Sequence, residues 1–516
     1  MTLDAVDRHQ QPVATAEAEL QSCEAEAPRF QYLNAEKHRL GTITGENKPL
    51  LSPIRRLPLE LLSAIFELCL PVDKGMGHIF AELKGTISLT PFSIATTCHY
   101  WRQVATSSPS LWSKIILDLD TASDGTADVL DVFLCRSGNH SLHIYLKLTE
   151  EQHPNYRITS LLAENASRIS LLRLWGKSDP FQSMSNLQFP RLRTFGFAFG
   201  SADDEEQHLD PFPWLASASQ LHSVLLKDVN MVSEFLNGIP NEHVQFLGTY
   251  DACVSQTFSI LPRFSNAEEA WIVVEELGDD IQETITLSNI QTLTIYLPAS
   301  LNDQVTDRVM IPYLSQLSLP SLSTLRLVDD RLECPTTWDS AVFRTFISRS
   351  ELSNKLTTLE LQGYIHVDPQ ELICSLQLLP AITCLSLLES PSHCLASPLL
   401  LKRLAIDEVE LNSPLPALLP ALTDLELLLS DHADRLPLLV LLVQSRSPQV
   451  KPHRVAALRR IWMILTSITG EESAADLAEC RKLGVRVHAQ VVSHADWTAW
   501  MENDACFWDS TFEFLF

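Results

Sequence analysis

A short phrase recurs along this chain and limits what it can fold into: an apolar residue, two of any kind, an apolar residue, one of any kind, and a third apolar residue. It stands at Ile169-Leu172-Leu174, Leu192-Phe195-Phe197, Leu221-Val224-Leu226, Val244-Leu247 with Tyr250 close by, and Ala267-Ala270-Ile272. It continues at Ile290-Leu293-Ile295, Leu322-Leu325-Leu327, Leu356-Leu359-Leu361, Ile382-Leu385-Leu387, Leu401-Leu404-Ile406, Leu422-Leu425-Leu427 and Leu458-Ile461-Met463. First anchors are spaced 23, 29, 23, 23 and 23 residues from Ile169 to Ile290, then 32, 34, 26, 19, 21 and 36 residues to Leu458. A period of this size points to a solenoid, in which each unit buries its apolar side only against its neighbours.

Between the phrases lie apolar stripes at helical spacing: Val232, Phe235, Leu236 and Ile239; Val342, Phe343, Phe346 and Ile347; Leu372, Ile373, Leu376 and Leu379. Strand, turn and helix in succession predict a parallel sheet along one face with helices behind it. Upstream, Ile115 to Leu119 and Leu142 to Leu148 alternate with the period of two that marks further strands. An α/β domain of unrelated parallel strands is the alternative. In a solenoid the non-anchor positions of the phrases, such as Arg173, Arg193, Arg326 and Glu360, face the concave side, where a bound protein is expected.

The beginning of the chain has a different texture. Pro58 stands where a helix could start, its ring angle preset for the first turn, and Glu60 suits the positive end of the helix dipole. Leu61, Leu62, Ile65, Phe66 and Cys69 then form one apolar face, and Pro71 ends it. Phe92 to Thr106 predicts a second helix with Ile94, Cys98, Trp101 and Ala105 on its stripe and Arg102 and Gln103 on the wet side, closed by Pro109, Leu111 and Trp112. Two short helices with so much apolar surface cannot bury it against each other alone. They need a partner chain, or a place as an ordinary hairpin in a larger core.

The run Leu57-Pro58-x-Glu60-Leu61-Leu62-x-x-Ile65-Phe66, with Cys98-x-x-Trp101-Arg102-x-Val104-Ala105 and Pro109-Ser110-Leu111-Trp112, resembles an F-box in the form common among basidiomycete fungal F-box proteins. The resemblance implies a three-helix module that docks on a Skp-family adaptor and so joins a cullin-RING ubiquitin ligase. By position, Leu57, Pro58, Leu61, Leu62, Ile65, Trp101 and Val104 match the apolar residues the family uses for the adaptor and for its own small core. The sequence departs from the pattern in a long insertion after Pro71, reaching to residue 90, and in Cys98-His99-Tyr100 where a basic pair is usual. Residues 140 to 490 resemble a degenerate leucine-rich-repeat domain. Its ninth position, usually Asn or Cys, holds Lys177, Gly200, Val229, Pro298, Asp330, Tyr364, Ser390 and Ser430, so irregular turns are expected.

Composition bounds the partners. A formal net charge of −26 argues against nucleic acid, whose phosphates call for clustered Lys and Arg. Local acidic runs at Asp203 to Glu206 and Glu275 to Asp280 favour solubility or a basic partner. The 11 cysteines include no CxxC pair, and Cys374, Cys384 and Cys394, ten apart, match no zinc spacing, so reduced thiols and no metal are expected. No signal peptide and no membrane-length apolar run appears, which points to a cytoplasmic or nuclear protein. Gly176-Lys177-Ser178 mimics the end of a phosphate loop, but Leu171 stands where its first glycine belongs. Hydrolase, zincin and dinucleotide motifs are absent.

The expected architecture is therefore α/β: residues 1–48 a partly helical or flexible segment, 49–118 an F-box-like adaptor-binding module, and 119–495 a leucine-rich-repeat-like solenoid with a curved parallel sheet and helices on its outer face. Residues 496–516, with seven aromatic rings, form a cap or a plug for a substrate segment. The expected function is that of a non-catalytic substrate receptor in an SCF-type ubiquitin ligase, without cofactor. A scaffold that sequesters its partner without ubiquitination, and an α/β enzyme, are the alternatives.

Overall fold

The computed structural model describes residues 32, 34–39, 54, 57–71, 86–148, 155–176, 187–198, 212–227, 236, 238–250, 254–274, 284–298, 310–331, 336–390, 394–406, 417–429, 434–447, 455–465 and 486–491. Most of the N-terminal segment and of the insertion after Pro71 lies outside the described residues. So do both acidic runs, Val232 and Phe235, Lys177, Gly200, Val229 and Ser430, and the aromatic tail. Two compact units are distinguished, Met1–Cys69 with Ile94–Ser107, and Leu70–Ser93 with Ser108–Phe516.

The smaller unit is helical. Helix α1 (Leu59–Leu68) starts one residue later than Pro58 suggested, with Pro58 as the extended N-cap. The single helix expected over Phe92 to Thr106 is two, α2 (Thr90–Thr97) and α3 (His99–Thr106). Cys98 separates them in extended backbone, and its Sγ accepts the Trp101 N–H at 3.4 Å, so a cap replaces the continuous helix.

In the larger unit the strands are β1 (Lys114–Asp118), β2 (Leu142–Leu148), β3 (Ile169–Gly176), β4 (Thr194–Ala198), β5 (Ser223–Lys227), β6 (Phe246–Tyr250), β7 (Glu269–Val273), β8 (Ile285–Thr286) and β9 (Thr292–Leu297). They continue as β10 (Leu317–Ser318), β11 (Thr324–Asp329), β12 (Thr336–Thr337), β13 (Thr358–Gly363), β14 (Ile365–His366), β15 (Cys384–Glu389), β16 (Asp424–Leu429), β17 (Arg460–Leu465) and β18 (Arg486–Val491). Fourteen make one sheet in the order β1-β2-β3-β4-β5-β6-β7-β9-β11-β13-β15-β16-β17-β18. Every pairing in it is parallel, and β8 with β10 and β12 with β14 form two short pairs beside it.

Helices α4 (Asp124–Arg136), α5 (Tyr156–Glu164), α6 (Val254–Ile260), α7 (Met310–Gln316), α8 (Ser340–Arg349), α9 (Pro369–Leu376), α10 (Pro398–Leu404) and α11 (Leu436–Ser445) lie in the crossovers. Each strand joins the sheet beside its predecessor, so crossovers of one hand put the helices on one face. Accordingly α4 touches α5, and α7 to α11 touch in succession. The phrase residues meet them there: Leu325, Leu327, Leu359, Leu361, Leu385 and Leu387 are fully buried, each contributing roughly 1.5–3 kcal/mol of transfer free energy. The stripes on α8 and α9 bury Phe343, Phe346, Ile347, Leu372, Ile373 and Leu376 as expected.

One copy of the phrase is not a strand. Leu401 and Leu404 belong to α10, where Ser397 caps the Leu400 N–H at 3.2 Å and Pro398 occupies the first turn. A Ser-Pro start outweighs the phrase: Leu401 and Leu404, three apart, share a helix face, and Ile406 lies beyond the helix end. Conversely, β18 is a strand where no phrase was expected, and its Val487 and Ala489 stand in register with Ile461 and Met463.

Polar groups tie neighbouring repeats. Just before the strands, hydroxyls of Ser323, Thr357, Thr383 and Thr423 each donate to the same backbone position one repeat earlier, at 3.1, 3.1, 3.2 and 3.2 Å. Behind the sheet, arginines near helix ends reach back to carbonyls of the preceding turn: Arg349 to Leu314 and Leu317, and fully buried Arg446 to Leu404, Leu418 and Leu419. These bonds satisfy carbonyls that helix ends leave open. The closing motif Pro109–Trp112 is a 3-10 turn leading into β1, and Trp112 packs edge-on against Phe92 and Phe133 under Arg136.

Candidate functional site

The smaller unit divides its motif residues between an interior and a surface. Leu62 and Phe66 are buried on one side of α1, where Phe66 meets the Trp101 ring with centroids 4.9 Å apart. Val104 is likewise buried, while Leu57 and Trp101 are half-buried. Leu62 and Val104 thus belong to the unit's own core, one of the two roles the resemblance left open for them. Turned about 100° from Leu62, Leu61 is 55% exposed, Ile65 37% and Leu68 81%. These three fall at i, i+4 and i+7, one stripe of apolar surface on a two-and-a-half-turn helix. Pro58 is exposed beside it, and Cys69, expected on the buried stripe, is exposed too. Leu68 was missed by sequence reasoning, which had no means of telling its face from the inner one.

In the larger unit the sheet face opposite the phrase residues is set by register. Arg173, Arg326 and Glu360 all project on it, whereas Arg193 stands one residue before β4, at the edge where strands begin. Arg173 is far along the sheet from the other two. Its aliphatic chain lies over Gly196 of β4, where an added Cβ would come within 2.9 Å of it, and its guanidinium stands 5.7 Å from the Tyr145 ring. Between β5 and β11 this face is apolar: Leu225, Phe246, Trp271, Val273, Tyr296 and Val328 form a packed cluster.

From β11 onward the face becomes charged. Arg326 Nε lies 3.2 Å from the Glu360 carboxylate. Glu360 pairs in register with Ser386, and Ser386 with Glu426. Burial pushes the Glu360 carboxyl up to about 7, with Arg326 pulling it down and Glu426 adding to the rise. Burial also raises Glu269, on the other side of Arg326. The Cys384 thiol is pushed up to about 12 by burial and by Glu426, Asp424 and Glu360, so it stays protonated. At the outer strands Arg460 meets Asp424 at 2.9 Å.

The strand ends hold residues that sequence reasoning did not single out. Asp329, fully buried, accepts bonds from the Arg331 backbone and guanidinium and from the Thr336 N–H at 2.8 Å. Glu389 sits in the equivalent row, via Gly363, and takes both oxygens to Arg435. Carboxylates one position earlier than the usual asparagine therefore hold these turns. Asp330 beside Asp329 is pushed up to about 6 by burial, against the Tyr296 hydroxyl it accepts at 2.8 Å.

At the opposite edge a polar cavity of about 670 Å³ runs past the loops before β5, β6, β7, β9 and β11, lined among others by His222, Glu242, His243, Glu268 and Gln291. Among the described residues no group of His, Cys, Asp and Glu is placed to hold a metal ion, and no helix is long and apolar enough to cross a membrane. The described cysteines, Cys69, Cys98, Cys135, Cys374, Cys384 and Cys394, are free thiols. No protein-family model matches this chain, and no curated protein matches it either.

Proposed function

We propose that this chain is the substrate-receptor subunit of an SCF-type ubiquitin ligase: α1 and its neighbours engage a Skp-family adaptor, and the parallel sheet lines a leucine-rich-repeat-like arc that holds a protein substrate. Catalysis then belongs to other subunits, and this chain contributes proximity, raising the effective concentration of a substrate lysine near the charged E2 enzyme. The observation that carries the reading is the stripe of Leu61, Ile65 and Leu68, an apolar surface left open on the helix that bears the F-box-like motif. Covering it would contribute roughly 1 kcal/mol or more per side chain, and a small helical unit that leaves this surface to water calls for a partner.

Co-expression with a Skp-family adaptor tests it. The full chain should co-purify with the adaptor in a 1:1 complex, and Leu61→Asp with Ile65→Asp should abolish the complex while circular dichroism shows the chain still folded, since both side chains stand partly in water. An adaptor that ignores the full chain, or one that binds the double variant equally well, sinks the assignment.

A further inference from the structure

We propose that the charged end of the sheet face carries a subsite for one arginine side chain of the bound polypeptide, built by Glu360 and Gln362 of β13, Ser386 of β15 and Glu426 of β16. The identity of the ligand as a polypeptide rests on the substrate-receptor reading above; the acceptor geometry does not.

Glu360, Ser386 and Glu426 are opposed in register on three successive parallel strands, and Gln362 follows Glu360 by two residues on the same face. Neighbouring strands lie about 4.8 Å apart, so four acceptors crowd into the span of a single side-chain head group. Two of them have no partner. Ser386 and Gln362 are each 2% exposed, and neither the Ser386 Oγ nor the Gln362 Oε1 makes a hydrogen bond. Buried polar atoms are nearly always satisfied in a finished structure. Unsatisfied ones beside two carboxylates mark a place completed by a donor from outside.

Charge selects the donor. Arg326 is the near cation, and it already stands between Glu360 and Glu269. Glu426 and Asp424 add negative charge to the patch; Arg460 is paired to Asp424, and Arg486 stands beyond Arg460 on β18, farther from Glu360. An anion is therefore repelled, and a neutral amide would leave a desolvated carboxylate uncompensated. An ammonium offers three donors to four acceptors, whereas a guanidinium offers five in a planar fork. Arginine fits the inventory, and entry is open at the patch's sides, where the Arg326 side chain is 33% exposed and Glu426 is half-buried.

The site also implies a pH signature. Arg326, Cys384 and Glu426 face Glu360 from the neighbouring strands, and Cys384 stays neutral throughout the range of interest. A guanidinium favours the charged carboxylate, so binding should strengthen roughly tenfold from pH 6 to pH 8 as Glu360 loses its proton.

A phage library of random nonapeptides, panned on the full chain, tests the proposal without any adaptor, so its outcome is independent of ligase assembly. Selected peptides should share an arginine at one position, and replacing it by citrulline, uncharged and nearly isosteric, should weaken binding at least tenfold. Glu360→Gln should cause a similar loss and flatten the pH profile. Glu426→Gln, at a partly exposed position that tolerates change, should weaken binding several-fold, and it carries the test if the buried variant misfolds. Peptides without a shared arginine, equal selection of lysine, or arginine peptides indifferent to both variants would each overturn the assignment.

Discussion

Removing Arg435 tests how this array is held together. Glu389 ends β15 with its carboxylate wholly buried, and one Arg435 nitrogen reaches both oxygens at 2.6 and 2.7 Å. The Ala396 N–H also donates to it, at 3.4 Å. Arg435→Met would leave a desolvated carboxylate without its cation, a change that costs about 3–5 kcal/mol where buried pairs have been broken. Replacing both partners, Glu389→Leu with Arg435→Met, removes the charge as well as its partner and should restore most of the loss. Because each strand of the sheet pairs only with the strands beside it, the damage should stay local. Hydrogen exchange read by mass spectrometry should show the amides of Leu385–Leu388 and Leu439–Val443 exchanging on the order of a hundred- to a thousand-fold faster in the single variant, at ~1.4 kcal/mol per factor of ten. Peptides from β1 to β3 should be unchanged, and the double variant should approach the parent. A single variant within a few-fold of the parent, or a double variant as damaged as the single one, refutes the idea that the pair matters through the cost of orphaning a charge.

Two further expectations are quickly checked. Gly363 has φ of +87°, and an added Cβ would fall 2.0 Å from the Asp329 carbonyl oxygen, which accepts the Tyr364 N–H at 2.7 Å. Gly363→Ala should therefore cost at least ~1–3 kcal/mol of backbone strain, seen as a lower thermal midpoint; an unchanged midpoint would contradict the turn described. The Glu360 carboxyl, raised from 4.5 to about 7 mainly by burial, binds its proton more tightly folded than unfolded. Its contribution to stability is thus full at pH 4.5 and below and is lost as pH rises to about 7, by about 3 kcal/mol at most. Glu360→Gln should abolish that part of the decline in a urea series across this range, and an identical pH slope in both proteins would show that Glu360 is not the group responsible.

The sheet was legible because its anchors obey one rule regardless of partner. A residue such as Leu359 is buried wherever the strand lies within the array, so its spacing alone announces it. Leu401-Leu404-Ile406 shows the limit, since its first two anchors, three residues apart, also share one face of a helix, and the deciding signal was the Ser397-Pro398 start. Cys98 misled for a related reason: its spacing to Ile94 and Trp101 is helical, but the cap made by its own sulfur is a local alternative that periodicity does not register. The polar contacts were not legible at all. Glu389 and Arg435 are 46 residues apart, and Arg446 reaches carbonyls 27 to 42 residues away, distances at which only the folded chain defines a neighbour. Of the exposed stripe on α1, Leu61 and Ile65 could be named but not separated from Leu62, because adjacent helical faces were both apolar.

These polar contacts answer a problem that the leucines create. Leu322-Leu325-Leu327, Leu356-Leu359-Leu361 and Leu422-Leu425-Leu427 are chemically alike, so apolar burial alone scarcely distinguishes one strand from another. A slip of two residues also keeps alternate side chains on the same face. Such a slip, however, carries Glu389 away from Arg435 and strands both charges in a dry interior at several kcal/mol. Arg349 and Arg446 impose the same condition behind the sheet, because each must find the carbonyls of one particular preceding turn. The leucines thus supply the driving force for stacking, and a few buried ions fix which repeat stands beside which. The row from Glu360 to Glu426 differs from these in one respect that matters: its acceptors are not all matched from within the chain. The Ser386 Oγ and Gln362 Oε1 on the open face bind nothing in a neighbouring repeat, and the arginine subsite proposed above gives these acceptors a use.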